Sequence, residues 1–466
     1  MRFVARDGSR GQLSQRERDV ANIQSIKAKR NLGQSSRSAD GSPGSRYYSK
    51  EFAAKEWEHV WTKSWLMVGR DVEIPESGDF LVEDIGPESI LVVRQKDGGI
   101  RAFYNVCRHR GNQLVGVHEG SLDRFTCSYH GWKWALDGAC VGAQDEDDFP
   151  NGSPCGRLRL SELRCEVFAT FIWINMDPDC IPLLDFLGEE VVAGLGGHPF
   201  AGHVRTQAMS VRVPCNWKFV NDNFRETYHI PTCHPCALYL NDPDYRKTDV
   251  DLFEGGHGRL RTSGGMPSIF LPGGKLAIDE PLLSDLKHWG LDPDDFKGRE
   301  QDTRLALQKQ KRKLGAERGH AHYAQLGDAQ LTDTIMYSVF PNVNIALFAD
   351  SFVLLRAIPH AKDPEQCTFD SWYYAIAGVD DVFTRTMTSN ASVEGATAQH
   401  APREWINFGE KSLGAILDGD TAILLAQQLG SHSLGYHAPE FSNQEKRVRQ
   451  YHDRIDALIR QGESAI

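Results

Sequence analysis

Two short motifs, each pairing a cysteine with a histidine, constrain the fold of this 466-residue chain more than any other feature. The segment NVCRHRGNQLVGVHEGSLDRFTCSYHGWKW contains Cys107-x-His109 and, after seventeen intervening residues, Cys127-x2-His130. A glycine follows each histidine within two residues, as expected at the tips of tight loops between strands. The pattern therefore predicts a strand-rich domain in which two loops bring two thiolates and two imidazoles to one point.

Two kinds of metal site fit this set of ligands. Zinc accepts two cysteines and two histidines, but zinc fingers group the cysteines together and place the histidines on a helix. Here each pair contains one residue of each type, and the arrangement resembles the Rieske [2Fe–2S] cluster, in which two cysteines bind one iron and two histidines bind the other. The resemblance implies that Cys107, His109, Cys127 and His130 bind the cluster, with a higher reduction potential than in an all-cysteine cluster.

The sequence around these motifs predicts an all-β domain over residues 45–177 with a leading helix. ILVVRQKDGGIRAFYNVC predicts two strands joined at Asp97-Gly98, and CEVFATFIWINM predicts one further strand. The preceding segment, residues 1–44, is rich in polar and charged residues and predicts a solvated arm.

A second histidine-bearing stretch, NFRETYHIPTCHP, begins at Asn223. Apolar residues recur at steps of three and four from Trp217 through Phe224 to Tyr228. This spacing predicts an amphipathic helix that continues into the stretch. Pro231 disfavours helix at the residue before it, so the helix should end at Ile230. This would place His229 on the last helical turn and His234 on the following loop, which excludes the HExxH arrangement.

Two converging imidazoles are typical of the 2-His-1-carboxylate triad of non-haem Fe(II) oxygenases. Glu226 is the local candidate for the carboxylate. It could equally orient a ligand from outside the coordination sphere, and the spacing alone leaves this open.

Together the two motifs resemble the catalytic α subunit of Rieske non-haem iron oxygenases, over about residues 47–459. The family signature runs N-W-K…N-x-x-[DE]-x-Y-H-x4-H, and the matching residues are Asn216, Trp217, Lys218, Asn223, Glu226, Tyr228, His229 and His234. The chain departs from many relatives in having Ser128 where they have proline, and glutamate rather than aspartate at position 226.

The resemblance implies that His229, His234 and a distant Asp420 bind Fe(II), with Gln428 as the family's marker for the aspartate. Asp418 is the second choice. Without the resemblance, Asp420 would be interpreted as the N-cap of the helix in ILDGDTAILLAQQLG.

The same resemblance gives roles to two further residues. Glu226 would bridge His130 of one subunit to His229 of the next in a trimer, and Asn223 would lie just outside the iron ligands.

The remainder, residues 178–466, predicts a larger catalytic domain. MYSVFPNVNIALF, SFVLLRAIPH and CTFDSWYYAIAG predict sheet strands, and two helices close the chain. Residues 281–325 predict a helical insertion with a charged, solvated face. The fold class expected from the resemblance is α+β, in which an antiparallel sheet surrounds a long helix (helix-grip, START-like).

The expected function is that of a terminal oxygenase that uses O2 and electrons from NAD(P)H to hydroxylate an aromatic or polycyclic substrate, by cis-dihydroxylation. The chain lacks a Gly-rich dinucleotide fingerprint, so a separate ferredoxin or reductase would deliver the electrons. The assembly would be an α3 homotrimer, or α3β3 with a small β subunit. One alternative is a Rieske monooxygenase that performs hydroxylation or oxidative N- or O-demethylation, for example of a quaternary ammonium compound. The other is a pure electron carrier. A carrier would not need the iron triad.

The composition argues against several classes of binding partner and against two cellular locations. The net charge of −11 argues against nucleic-acid and membrane-surface binding, which call for a basic face. No apolar run approaches the roughly 18 residues of a membrane span, and the N-terminus lacks the apolar core of a secretory signal. A cytoplasmic enzyme with reduced cysteines is expected.

Overall fold

The computed structural model describes residues 43–377 and 400–464. The predicted arm therefore lies outside the described residues, apart from Pro43 and Gly44. The first helix, α1 (Lys50–His59), begins where the Ser49 hydroxyl accepts a hydrogen bond from the backbone N–H of Phe52 at 3.1 Å.

The first half of the chain is built from short strands. They are β1 (Leu66–Arg70), β2 (Asp79–Ile85), β3 (Glu88–Arg94), β4 (Ile100–Tyr104), β5 (Glu119–Ser121), β6 (Phe125–Thr126), β7 (Lys133–Trp134), β8 (Cys140–Gly142), β9 (Glu162–Phe168) and β10 (Phe171–Asn175). Seven of them form an antiparallel sheet in the order β1-β10-β9-β4-β3-β2-β5, and β6-β7-β8 form a separate small sheet. This confirms the all-β character predicted for the segment.

Two connections in this region test the turn predictions. The β3–β4 hairpin forms as predicted, with Gly98 at φ +84°. CEVFATFIWINM, predicted as one strand, is instead two antiparallel strands, because Ala169 and Thr170 both adopt positive φ (52° and 68°) and reverse the chain.

The second half combines helices with a larger sheet. Its elements are α2 (Leu183–Gly196), β11 (His203–Val213), α3 (Trp217–Asn223), α4 (Ile230–Cys233), β12 (Asn241–Asp242), β13 (Asp249–Leu252), β14 (Gly258–Gly264), α5 (Leu282–His288), α6 (Thr303–Leu314), β15 (Thr334–Val339), β16 (Val343–Leu347), β17 (Ser351–Pro359), β18 (Cys367–Ile376), β19 (Arg403–Asn407), α7 (Ala415–Ser431) and α8 (Lys446–Ser464). The predicted strands and both closing helices are confirmed.

The large sheet has nine strands in the order β12-β14-β15-β16-β17-β18-β11-β19, with β13 also paired to β14. All its pairs are antiparallel except β11–β19, which is parallel. One face packs against α3, α7 and α8, and the other against α2 and strands of the first sheet. The α+β class is therefore confirmed, whereas the boundary at residue 177 stays a prediction.

The insertion at residues 281–325 contains α5 and α6, as predicted, but it is less solvated than its charge suggests. It has a core of its own, formed by Leu282, Leu286, Trp289, Phe296, Leu307, Tyr323 and neighbours. Even Lys311 is buried, and its Nζ donates to the carbonyl of Leu331 at 3.0 Å. Long cationic side chains can bury their aliphatic stems in this way.

Candidate metal centres

The two cysteine–histidine motifs form a pair of equivalent loops, residues 107–112 and 127–132, here called the cluster loops. In each loop the glycine N–H donates to the cysteine carbonyl at 3.0 Å, from Gly111 to Cys107 and from Gly131 to Cys127. Both glycines have φ near +70°, in the left-handed region that favours glycine. The predicted tight loops are therefore present, and they share one backbone design.

The four predicted ligands of the first centre come together at the tips of these loops. Both cysteines are buried, and the rings of His109 and His130 lie 4.5 Å apart between centroids. Burial acts to raise the pKa of Cys127, but the backbone N–H groups of Tyr129 and His130 outweigh it and lower that pKa. Burial raises the pKa of Cys107. N–H groups directed at sulfur suit a thiolate bound to iron, so the loops fit a [2Fe–2S] cluster.

Side chains around the cluster loops hold them in place. The Trp132 ring stacks on His109 with a centroid distance of 4.6 Å, and Asn112 Nδ2 donates to the Ser128 hydroxyl at 3.1 Å. Ser128 thus links the two loops at the position where many relatives have proline.

The second stretch folds differently from the prediction. Helix α3 ends at Asn223 rather than at Ile230, and Tyr228 is 59% exposed. A new single-turn helix, α4, follows, with His229 as its N-cap and His234 as its C-cap. Pro231 is accommodated because it lies in the first turn, where backbone N–H groups have no helical partner.

The histidines at the two ends of α4 converge on one carboxylate. Nε2 of His234 lies 2.7 Å, and Nε2 of His229 3.6 Å, from the same oxygen, Oδ1 of Asp420. Asp420 is fully buried within α7, so the N-cap interpretation is wrong: the N-cap is Gly414.

Asp418, the second choice for the carboxylate ligand, is occupied elsewhere. Its carboxylate accepts hydrogen bonds from the Leu413 N–H at 2.7 Å and from the Ser412 hydroxyl at 2.5 Å. These contacts stabilise the first turn of α7.

Glu226 contacts His229 on the side away from the aspartate. Its Oε1 accepts a hydrogen bond from Nδ1 of His229 at 2.6 Å, and its Oε2 accepts from the backbone N–H groups of Tyr228 and His229. In the neutral ring, this hydrogen bond places the proton on Nδ1, which leaves Nε2, the nitrogen on the side of Asp420, to bind a metal ion.

The charges within this group reinforce one another. Burial acts to raise the pKa of Asp420, but the hydrogen bond and charge of His234 and the charge of His229 hold that pKa below its ordinary value. Burial acts to lower the pKa of His229, and Glu226 outweighs it. Nδ1 of His234 is buried with no hydrogen-bond partner in the described part of the chain. Two imidazoles and one ionised carboxylate around one point fit a divalent iron.

The triad opens on a cavity of about 150 Å³. Asn223 lines it beside the triad, and the rest of its wall is mostly apolar, contributed by Phe224, Ile230, Leu260, Met336, Ala346, Phe348, Val353, Leu355, Tyr373, Ile416 and Leu417. The sequence analysis did not identify these lining residues. Their period-two spacing, as in Val353 and Leu355, was the available signal, although it does not tell which face of the sheet meets the site.

Comparisons with known proteins match both halves of the chain. Residues 64–153 match the family model described as Rieske [2Fe-2S] domain, and residues 200–461 match that described as Ring hydroxylating alpha subunit (catalytic domain). The second match covers more than half of the chain.

Curated relatives include two different kinds of oxygenase. The carnitine monooxygenase oxygenase subunit of Escherichia coli (strain K12) is 35% identical over 192 residues, which is 41% of this chain and 51% of the relative. The biphenyl 2,3-dioxygenase subunit alpha of Rhodococcus jostii (strain RHA1) is 33% identical over 220 residues, 45% of each chain. The chain thus spans about half the length of the curated relatives it matches.

Solved structures share the fold. A quaternary ammonium Rieske monooxygenase in complex with an inhibitor superposes with a TM-score of 0.63 at 18% identity, covering 90% of this chain and 94% of the other. Naphthalene 1,2-dioxygenase from Rhodococcus sp. bound to indole gives 0.62 at 19%, covering 96% and 98%.

Proposed function

We propose that this chain, which belongs to the family of ring-hydroxylating α subunits, is a terminal oxygenase that hydroxylates an aromatic substrate in the cavity above its iron triad. The observation that carries the proposal is the group of two histidines and one aspartate, of which His234 and Asp420 are buried, that opens on a mostly apolar cavity. A pure electron carrier would have no use for such a cavity.

The size and lining of the cavity support a small aromatic substrate. An engineered cavity of about 150 Å³ in another protein binds benzene, so this cavity of about 150 Å³ fits one aromatic ring better than a polycyclic compound. Most of its lining surface is apolar, the uncharged polar residues beside the triad are small (Asn223, Thr227, Asn241, Thr262 and Thr334), and the carboxylates among the lining residues are Glu226 and Asp420. We therefore favour cis-dihydroxylation of a single ring.

The proposed functional residues belong to two metal centres. Cys107, His109, Cys127 and His130 would hold the [2Fe–2S] cluster, and the triad His229, His234 and Asp420 would hold the mononuclear iron. When bound, the cluster supplies single electrons and the iron activates O2. The apolar wall excludes water from the reacting ring.

Glu226 is proposed to act as the bridge between the centres rather than as an iron ligand. Its Oε1 is bonded to Nδ1 of His229, on the opposite side of that ring from the nitrogen that faces Asp420. His130 of a neighbouring subunit would complete the bridge. Asn223 lies beside the triad, outside the ligand set.

This bridge calls for a multimer, and we propose a trimer. An exposed tyrosine stands next to one histidine of each centre: Tyr129 beside His130 is 55% exposed, and Tyr228 beside His229 is 59% exposed. Exposed aromatic side chains at such positions favour burial against another chain. Electrons would come from a separate NAD(P)H-dependent reductase or ferredoxin. No helix in residues 43–377 and 400–464 is long and apolar enough to cross a membrane.

Oxidative demethylation is the second candidate. It is favoured by the 35% identity to the carnitine monooxygenase subunit and by glutamate, rather than aspartate, at position 226. Recognition of a quaternary ammonium group calls for aromatic rings or a carboxylate near the cation. The cavity offers Phe224, Phe348 and Tyr373 for this purpose.

A single turnover with 18O2 tests both candidates. The iron-replete, chemically reduced protein is mixed with one-ring aromatics, polycyclic aromatics and trimethylammonium compounds, and the products are analysed by mass spectrometry. Two labelled oxygens in a one-ring diol would support the main proposal. Loss of a methyl group would establish the second candidate, and a labelled polycyclic product with one-ring compounds unreacted would contradict the size argument.

Two variants test the proposed roles of His234 and Glu226. His234→Ala should lose product formation but keep the visible spectrum of the cluster. Glu226→Gln should keep the cluster and bound iron but slow the oxidation of the reduced cluster during turnover. If Glu226→Gln instead releases iron and leaves electron transfer intact, Glu226 is a ligand and the bridge is wrong.

A further inference from the structure

A second group of two histidines and one aspartate lies outside the iron triad. His320 Nδ1 and His322 Nε2 lie 2.8 Å and 2.9 Å from one oxygen, Oδ1 of Asp350. Within the described ranges, 43–377 and 400–464, this group and the iron triad are the two that bring three such ligand atoms within 4.8 Å of one another. The two groups have the same composition and similar distances.

The setting of this group resembles that of a closed metal site. His320 and Asp350 are buried and His322 is nearly so. The Tyr323 hydroxyl donates to the other oxygen of Asp350 at 2.6 Å and fixes the orientation of the carboxylate. Partners of this kind, outside the ligands themselves, are characteristic of metal sites.

A further imidazole, that of His198, is buried near His322, and its ring packs against Phe200 with 4.6 Å between centroids. Both ring nitrogens of His198 are buried and have no hydrogen-bond partner among the described residues. His198 lies outside the group of three ligand atoms that are within 4.8 Å of one another, so it is not counted among the ligands.

We propose that His320, His322 and Asp350 bind a structural Zn²⁺ ion. Neutral imidazoles and a carboxylate are ligands that Zn²⁺ accepts, and buried, closed sites are typical of structural zinc. Nε2 of His322 also lies 3.0 Å from the carbonyl oxygen of Ala349, so a bound zinc would take the place of that hydrogen bond.

The ion would fasten the helical insertion to the large sheet. His320 and His322 lie at the end of the insertion, and Asp350 lies in the turn between β16 and β17. The same turn carries Phe348, which lines the substrate cavity. The zinc would therefore hold one wall of that cavity without taking part in the reaction.

Zinc binding by the full chain tests the proposal. His234→Ala is the background, because it disables the iron site and prevents zinc from being counted there. After dialysis against zinc, metal analysis should show about one zinc per chain more in His234→Ala than in the double variant His234→Ala/His322→Ala. Adding Tyr323→Phe to the background should weaken zinc binding by about 10- to 100-fold, the usual effect of losing an outer partner.

A matched control distinguishes this site from any histidine–carboxylate pair. His432 also contacts a carboxylate, Glu365 Oε2 at 2.8 Å, but belongs to no group of three. Adding His432→Ala to the background should leave the zinc content unchanged. If the His322→Ala and His432→Ala variants hold the same zinc as the background, the proposal is overturned.

X-ray absorption at the zinc edge keeps the test independent of variant folding. Zinc in the His234→Ala protein should show nitrogen and oxygen ligands at about 2.0–2.2 Å, with imidazole scattering. Sulfur ligands would place the zinc on cysteines and would overturn the proposal.

Discussion

Gly419, the residue before the iron-site aspartate, offers a substitution with opposite effects on stability and on metal binding. It lies inside helix α7 with ordinary helical backbone, where glycine is about 1 kcal/mol less favourable than alanine. A methyl group at this position would stand 3.3 Å from Cε1 and 3.5 Å from Nδ1 of the His234 ring. Contacts of 3.3 Å force a neighbour to shift by a few tenths of an ångström.

Gly419→Ala should therefore raise the stability of the iron-free protein by up to about 1 kcal/mol. It should also lower the affinity for Fe(II), because the displaced ring of His234 is one of the proposed ligands. Disturbing the orientation of a ligand typically lowers metal affinity by about 10- to 100-fold.

The assay compares two glycines of one helix. Gly430, also in α7, has open space where its methyl group would lie, so Gly430→Ala should add helix stability without any effect on iron. Thermal denaturation of the iron-free proteins and titration with Fe(II) under anaerobic conditions measure the two quantities separately. Equal iron affinity in Gly419→Ala and Gly430→Ala would refute the reasoning.

Four further changes have defined outcomes. Glu56→Gln leaves the fully buried Lys218 without its carboxylate partner, which lies 2.8 Å away. The free energy of unfolding, measured in urea, should fall by about 3–5 kcal/mol. Replacing both residues by leucine or methionine should recover most of that loss. Burial lowers the pKa of His257 to about 4 in the folded state, whereas its pKa in the unfolded chain is about 6.5. The free energy of unfolding should therefore fall by up to about 3 kcal/mol as the pH drops from 6.5 to 4. His257→Asn should remove this pH dependence. Gly131→Ala meets no neighbour but must adopt φ +68°, so the cluster should still assemble, with a stability loss of about 1–2 kcal/mol seen by thermal denaturation. Ala346→Leu should fill part of the cavity and raise KM for one-ring substrates without changing the spectrum of the cluster.

The two tight loops of the first centre were predictable from the sequence because each loop is local. Each loop is formed by a cysteine, a histidine two or three residues later and a glycine, and its hydrogen bond joins residues of the loop itself rather than distant parts of the chain. The hairpin at Gly98 was predictable for the same reason. The double strand in CEVFATFIWINM was not, since its turn uses Ala169 and Thr170 at positive φ, where neither residue signals a turn.

The second centre needed information from distant parts of the chain. The helical spacing through Phe224 and Tyr228 suggested one continuous helix, but α3 ends at Asn223 and Tyr228 is exposed. Periodicity does not reveal such a break, because it depends on the hydrogen bonds that Glu226 accepts from the following backbone N–H groups. Asp420 lies 186 residues from His234, and only the resemblance to a family identified it in advance.

The hydrogen bonds of Gln428 explain why a glutamine downstream can serve as a marker for that aspartate. Its Oε1 accepts a hydrogen bond from the backbone N–H of Asn216 at 2.8 Å, and its Nε2 donates to Glu365 at 3.2 Å. Asn216 is also the N-cap of α3, where its side chain accepts from the N–H of Lys218. Gln428 therefore joins the helix that carries Asp420 to the start of the segment that leads to both histidines. Because eight residues separate Gln428 from Asp420 on one rigid helix, fixing the glutamine also fixes how far the carboxylate reaches toward the histidines.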